Sequence, residues 1–145
     1  MKKIIILNGP NLNLLGNRES DIYGKASLQD IEKECFEKCL DLDIECAFIQ
    51  SNSESVLIEH IHSVEEEFEG LIINPAAFTH TSVAILDSLR AISKPKIEIH
   101  LSNIYTREEY RKKSITSEGV NGLICGFGSI SYTLAIEAIN KLINV

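Results

Sequence analysis

Five short apolar runs, most of them rich in isoleucine, alternate along the chain with stretches whose apolar residues recur at helical spacing, and few folds accommodate that alternation. Lys3–Leu7 (KIIIL), Ile44–Gln50 (IECAFIQ), Leu71–Asn74 (LIIN), Lys96–His100 (KIEIH) and Gly122–Cys125 (GLIC) read as strands. Short, nearly continuous apolar runs of this kind mark strands buried on both faces, as in parallel sheets. Between them, Ser27–Leu42, Ser55–Phe68, Ser82–Ala91 and Ile130–Ile143 carry the helical period, with Leu28, Ile31, Cys35 and Leu42 tracing one stripe. Ser27 with Asp30, and Thr106 with Glu109, have capping-box spacing. Pro95 marks the entry to a strand after Ile92 and Ser93 close a helix.

Strands joined by crossover helices make a mainly parallel sheet with right-handed connections and helices on both faces. The expected fold is therefore α/β, a flavodoxin-like doubly wound sheet of about five strands. At 145 residues the chain suits one domain, residues 1–145, with a core that needs no metal or disulfide staple. No repeat or low-complexity linker divides it.

Composition narrows the partners. A formal net charge of −7 argues against nucleic acid, whose phosphates demand clustered Lys and Arg. The one basic cluster, Arg107, Arg111, Lys112 and Lys113, is flanked by Glu108 and Glu109 and suits ion pairs on a helix face, with one residue recruited to an anionic small molecule. No apolar stretch approaches the ~18 residues that cross a bilayer. Asn8, Gly9 and Pro10 end the first apolar run too early for a signal peptide, so a soluble, cytoplasmic protein without membrane partners is expected. Cys35, Cys39, Cys46 and Cys125 show no CxxC pairing and read as inert buried thiols.

Two stretches break the logic of a core. Asn74–Ser82 (NPAAFTHTS) and Glu98–Asn103 (EIHLSN) place amide, imidazole and hydroxyl groups where apolar strands end. Ligands of open α/β sheets collect at the carboxyl edge of the strands, so these stretches locate the expected active site. The segment Asn8–Tyr23, between the first strand and the first expected helix, exceeds the ~2–6 residues of a simple connection and has the length of a lid.

In order and spacing, NGPNLNLLG, RESDIYG, QSNSE, NPAAFTHTS, IEIHLSNIYTREEYRKKS and GFGSISYTLAIEA resemble the blocks of the type II 3-dehydroquinate dehydratases over essentially the full chain. Thr106 stands where that family often has Ala, and Ser131 where it often has Gly. The resemblance implies trans elimination of water from 3-dehydroquinate, through an enolate, to give 3-dehydroshikimate in the shikimate route or in quinate catabolism. It implies no cofactor and no metal, and a homo-oligomer that is a dodecamer built as a tetramer of trimers.

A hydrogen beside a ketone is only weakly acidic, so such a reaction needs a base, a way to hold charge on the former carbonyl oxygen, and an acid for the departing hydroxyl. By resemblance, Tyr23 is the base and Arg18 activates it, since a nearby guanidinium favours the phenolate. Asn11 stabilises the enolate through an ordered water, and His100 is the acid. Glu98 lies one strand repeat before His100, on the same face of the sheet, where it can orient the imidazole. Asn74, with the backbone donors of Leu101 and Ser102, matches the carboxylate-binding set. His80 and Arg111 match hydroxyl-binding positions, and Asp87 matches a residue that reaches the site from a neighbouring subunit. His60 and His62 fall outside the matched blocks and read as structural.

Two other classes compete. An imine-forming dehydratase or aldolase requires a desolvated lysine in the pocket, and the lysines fall on loops, polar helix faces or a strand's first residue. A nucleotide-binding module would use the run Gly126–Ser131, which lacks the last glycine of a dinucleotide fingerprint and the acidic residue ~20 positions on.

Overall fold

The apolar runs become strands within a residue or two of their expected limits. The computed structural model describes all residues 1–145. Its strands are β1 Lys2–Asn8, β2 Ile44–Gln50, β3 Gly70–Asn74, β4 Lys96–His100 and β5 Gly122–Cys125. Every pairing is parallel, in the order β2-β1-β3-β4-β5, the doubly wound flavodoxin-like order. The helices are α1 Ser20–Tyr23, α2 Leu28–Asp41, α3 Glu54–Glu67, α4 Val83–Ala91 and α5 Ile130–Ile143.

Side-chain alternation along the central strands divides the core in two. Ile4, Ile6, Ile72, Ile97 and Ile99 face α2 and α5, where Ile31, Cys35, Ala135, Ile136 and Ile139 complete one apolar layer. Ile5, Leu7, Leu71 and Ile73 face α3 and α4, against Leu57, Ile61, Val64, Ile85 and Leu89. A truncation such as Ile72→Ala in the completely buried centre of this sandwich would cost ~2–5 kcal/mol.

Three helices start on side-chain caps at the ends of these strand-to-helix turns. Ser27 and Asp30 form the expected reciprocal box, and Ser53 and Ser82 accept from the backbone N–H three residues on. Thr106 does not cap: it closes a 3-10 turn, Ile104–Thr106, and its hydroxyl donates backward to the Asn103 carbonyl. Asn103 caps that turn instead, because an Asx side chain reaches the N–H two residues on. The Asn8–Tyr23 segment is also more ordered than a bare lid, since it contains a 3-10 turn at Leu12–Leu14 and the single turn α1. Cys35 and Cys39 are buried as expected, whereas Cys46 and Cys125 are half-buried because they lie on the edge strands β2 and β5.

Strand order reverses between β1 and β3, whose last residues, Asn8 and Asn74, are register partners. A crevice opens outside the carboxyl ends at such a switch point. Gly9 lets the chain leave β1 against β3: its N–H donates to the Asn74 carbonyl at 2.8 Å, and a Cβ there would stand 2.5 Å from the Pro75 oxygen. Asn11 then turns the chain over the crevice in a left-handed conformation, φ 69°, which asparagine tolerates.

Candidate active site

A cavity with about 100 Å³ of water-accessible space occupies that crevice. The loop after β1 supplies Pro10, Asn11, Leu12, Leu15, Arg18 and Tyr23. The ends of β3 and β4 and the segments after them supply Asn74, Ala76, Ala77, His80, His100, Leu101, Ser102, Ile104, Arg107 and Arg111. Nine of the eleven residues singled out in the sequence thus line one space. The other two, Glu98 and Asp87, stand elsewhere.

Glu98 lies behind His100, fully buried, and its Oε2 accepts from His100 Nε2 at 2.6 Å. Three hydroxyls enclose the same carboxylate. Thr79 Oγ1 reaches Oε2 at 2.7 Å, Thr116 Oγ1 reaches Oε1 at 2.6 Å, and Ser114 Oγ reaches Oε2 at 3.2 Å. Burial pushes the Glu98 carboxyl up, but the bonds from His100, Thr116 and Thr79 outweigh it and hold the group below its ordinary value. An ionised Glu98 fixes the Nε2–H tautomer of His100 and leaves Nδ1 as the nitrogen free to serve the cavity.

The tyrosine is set among guanidinium groups. The Arg18 guanidinium carbon lies 4.8 Å from the Tyr23 ring centroid and that of Arg107 lies 5.2 Å away. Arg107 Nη1 also donates to the Tyr23 hydroxyl at 3.1 Å and to Ser102 Oγ at 3.3 Å. With its side chain only 11% exposed, Arg107 is largely removed from competing water, which strengthens its hold on the phenol. Arg111 pairs with Glu108 at 2.8 Å. Burial works against its charge, and the neighbouring Tyr23, Tyr110 and Glu108 more than offset that, so its value is raised. The Arg111–Glu108 and Lys112–Glu109 pairs expected from the basic cluster form, on a 3-10 turn rather than an α-helix. Two arginines of that cluster face the cavity where one was expected.

His80 Nδ1 faces the Lys113 carbonyl at 2.7 Å, so Nδ1 carries the proton and Nε2 is left as an acceptor. Burial pushes the His80 imidazole down, which keeps it neutral. Asp87 is exposed on α4 and absent from the cavity of its own subunit. His60 is half-buried and His62 exposed, and no cluster of three or more His, Cys, Asp or Glu is arranged to hold a metal ion.

Arg107 and the hydroxyls of Thr79, Ser114 and Thr116 went unassigned in the sequence. In sequence Arg107 belongs to a charged face, and isolated hydroxyl residues give no signal until the fold gathers them. The Gly126–Ser131 run is a structural turn, since Gly126 and Gly128 donate backbone N–H bonds to the His100 and Leu101 carbonyls. Ser131 is buried there, accepting from the Phe127 N–H.

The family model for dehydroquinase class II matches residues 2–140. The chain belongs to the class II dehydroquinases. It is 48% identical over 139 residues to 3-dehydroquinate dehydratase 1 of Agrobacterium fabrum, covering 96% of each chain. With 3-dehydroquinate dehydratase of Clostridium botulinum (strain Hall) it shares 49% identity over 144 residues, 99% of this chain and 98% of the relative. Among solved structures, type II dehydroquinase from Propionibacterium acnes superimposes with a TM-score of 0.94 at 38% identity, covering 97% of each chain. That from Butyrivibrio crossotus gives 0.94 at 42% identity, covering 96% of this chain and 97% of the other. The doubly wound fold of this class II dehydroquinase is therefore the fold of its family.

Proposed function

We propose that this class II dehydroquinase is a 3-dehydroquinate dehydratase, a hydro-lyase that forms 3-dehydroshikimate by trans elimination in the shikimate route or in quinate breakdown. One observation carries the reading: a phenol held by a largely buried guanidinium shares a cavity with an imidazole backed by an ionised carboxylate.

The chemistry follows from those groups. Tyr23, beside the Arg18 and Arg107 guanidinium groups, takes the proton next to the ketone, and the electrons of that C–H bond move onto the carbonyl oxygen as an enolate. Asn11, in the loop over the cavity, stabilises that oxygen through a water. When the enolate collapses, the carbon–oxygen bond to the leaving hydroxyl breaks, and His100 delivers a proton so that it departs as water. Glu98 holds the imidazolium that gives up this proton. Base and acid come from different elements, the loop after β1 and the end of β4.

Asn74 and the backbone of Leu101 and Ser102 take the substrate carboxylate, and the positive field of Arg18, Arg107 and Arg111 draws the anion in. His80 Nε2 and the Arg111 guanidinium take ring hydroxyls. No lysine lines the cavity, so the imine route has no nucleophile there.

The unit of function proposed is one catalytic domain, residues 1–145, assembled into a dodecamer as a tetramer of trimers. Exposure of Asp87 on α4, away from its own cavity, supports its service to a neighbouring subunit. No helix is long and apolar enough to cross a membrane, and a cytoplasmic location is proposed. The purified protein mixed with 3-dehydroquinate should generate the ultraviolet absorbance of a conjugated enone in proportion to enzyme added; a flat trace contradicts the reading.

A further inference from the structure

Four hydrogen bonds run behind the cavity in a sequence that can point only one way. Asn8 Nδ2 donates to the Ile49 carbonyl at 3.1 Å, and the Tyr132 hydroxyl donates to Asn8 Oδ1 at 2.6 Å. Asn74 Nδ2 donates to the Tyr132 oxygen at 3.1 Å, and the Ala76 backbone N–H donates to Asn74 Oδ1 at 3.1 Å. Both ends are backbone groups with fixed roles, a carbonyl that only accepts and an N–H that only donates. Turning either amide over would set oxygen against oxygen at Ile49 or N–H against N–H at Ala76.

Burial removes any alternative. Tyr132 and Asn8 are 0% exposed and Asn74 2%, so a group that lost its partner would have little access to solvent as a substitute. Burial also raises the Tyr132 phenol further above its ordinary value, which keeps its hydroxyl a neutral donor. The tyrosine comes from α5 and joins side chains at the carboxyl ends of β1 and β3, so three elements fix one amide. Only Asn74 of the three side chains lines the cavity.

The primary amide of Asn74 has two N–H groups and one oxygen. Tyr132 occupies one N–H and Ala76 satisfies the oxygen, which leaves a single N–H. We infer that Tyr132 is a positioning residue, holding the Asn74 amide so that it presents this remaining N–H, and not its oxygen, to the substrate carboxylate. An oxygen in that place would repel the anion. The inference rests on the proposed reading of Asn74 as a carboxylate contact.

Tyr132→Phe removes the hydroxyl and keeps the ring in its packing. In the enone assay KM for 3-dehydroquinate should rise roughly threefold to tenfold, the worth of one hydrogen bond, with kcat within about twofold because a remote contact serves ground and transition states alike. In an Asn74→Ala background the same change should move KM by less than about twofold, since the two residues act as one unit. Asn8→Leu, which takes the acceptor from the other side of the hydroxyl without touching α5, should raise KM in the same direction. A hydroxyl with a purely structural role would lower Tm and leave KM alone. An unchanged KM in folded Tyr132→Phe or Asn8→Leu protein, or effects that simply multiply with Asn74→Ala, would overturn the inference while leaving the reaction in place. Wild-type protein that does not turn over 3-dehydroquinate would remove both.

Discussion

Arg107 Nη1 lies 3.1 Å from the Tyr23 hydroxyl, so a guanidinium carried by the segment after β4 is bonded to a phenol carried by the loop after β1. The two residues are 84 positions apart in the chain. Their bond ties the loop after β1 to the segment after β4 at the phenol proposed as the base.

Arg107→Met should therefore cost activity with little loss of fold. The aliphatic stem is kept, while the charge and the bond to Tyr23 are removed. A drop in kcat of roughly a hundredfold is expected, comparable to the loss of one charge-stabilising donor in an active site. Thermal unfolding and steady-state kinetics on the same preparation check this, and a kcat near wild type would show that Arg18 alone supports the base.

The Glu98 carboxylate makes stability depend on pH. Its folded value is depressed, so its contribution is fully present above the unfolded value of about 4.3 and is lost as pH falls through the lower folded value. Glu98→Gln replaces the charged acceptor of the His100 N–H by a neutral amide and should cost about 1–3 kcal/mol at neutral pH. The gap between wild type and variant should begin to shrink as pH falls below about 4.3 and close below the depressed folded value, where both carry a neutral side chain. Urea unfolding across that range measures it, and a constant gap would contradict an ionised Glu98.

Removing one hydroxyl of the cage should act on both stability and turnover. Thr116→Val leaves Oε1 of the buried carboxylate without its donor, at about 2 kcal/mol. A less firmly held Glu98 orients the proposed acid, His100, less well, so kcat should fall while KM stays near wild type. Thr116→Ser, which restores the hydroxyl, should recover most of the loss.

Asp87→Ala should leave the subunit's stability within about 0.5 kcal/mol, as for most exposed positions, yet weaken substrate binding through the neighbouring site. Sedimentation and KM on the same sample separate the two effects. An unchanged KM in an intact oligomer would take Asp87 out of the site.

Strand and helix positions were legible because isoleucine runs and helical stripes are local patterns, and the parallel order followed from their alternation. The cavity was legible from polar residues at strand ends, where a core has no use for them. Thr79, Ser114 and Thr116 were not, because three hydroxyls in different segments mean nothing until β4 and its flanking turns bring them around Glu98. Tyr132 is silent for the same reason: in sequence it sits among the apolar residues of α5, and only the fold sets its hydroxyl between Asn8 and Asn74. Thr106 fails as a cap because it ends the 3-10 turn that Asn103 begins, where its hydroxyl donates back to the Asn103 carbonyl.

That Tyr23 removes the carbon-bound proton is the account's central claim, and the kcat of Tyr23→Phe in the enone assay tests it most directly. The ring remains to pack against Arg18 and Arg107 while the proton acceptor is gone, so kcat should fall by ~10²–10⁴ with KM changed far less. A folded Tyr23→Phe protein with near-normal kcat would contradict it.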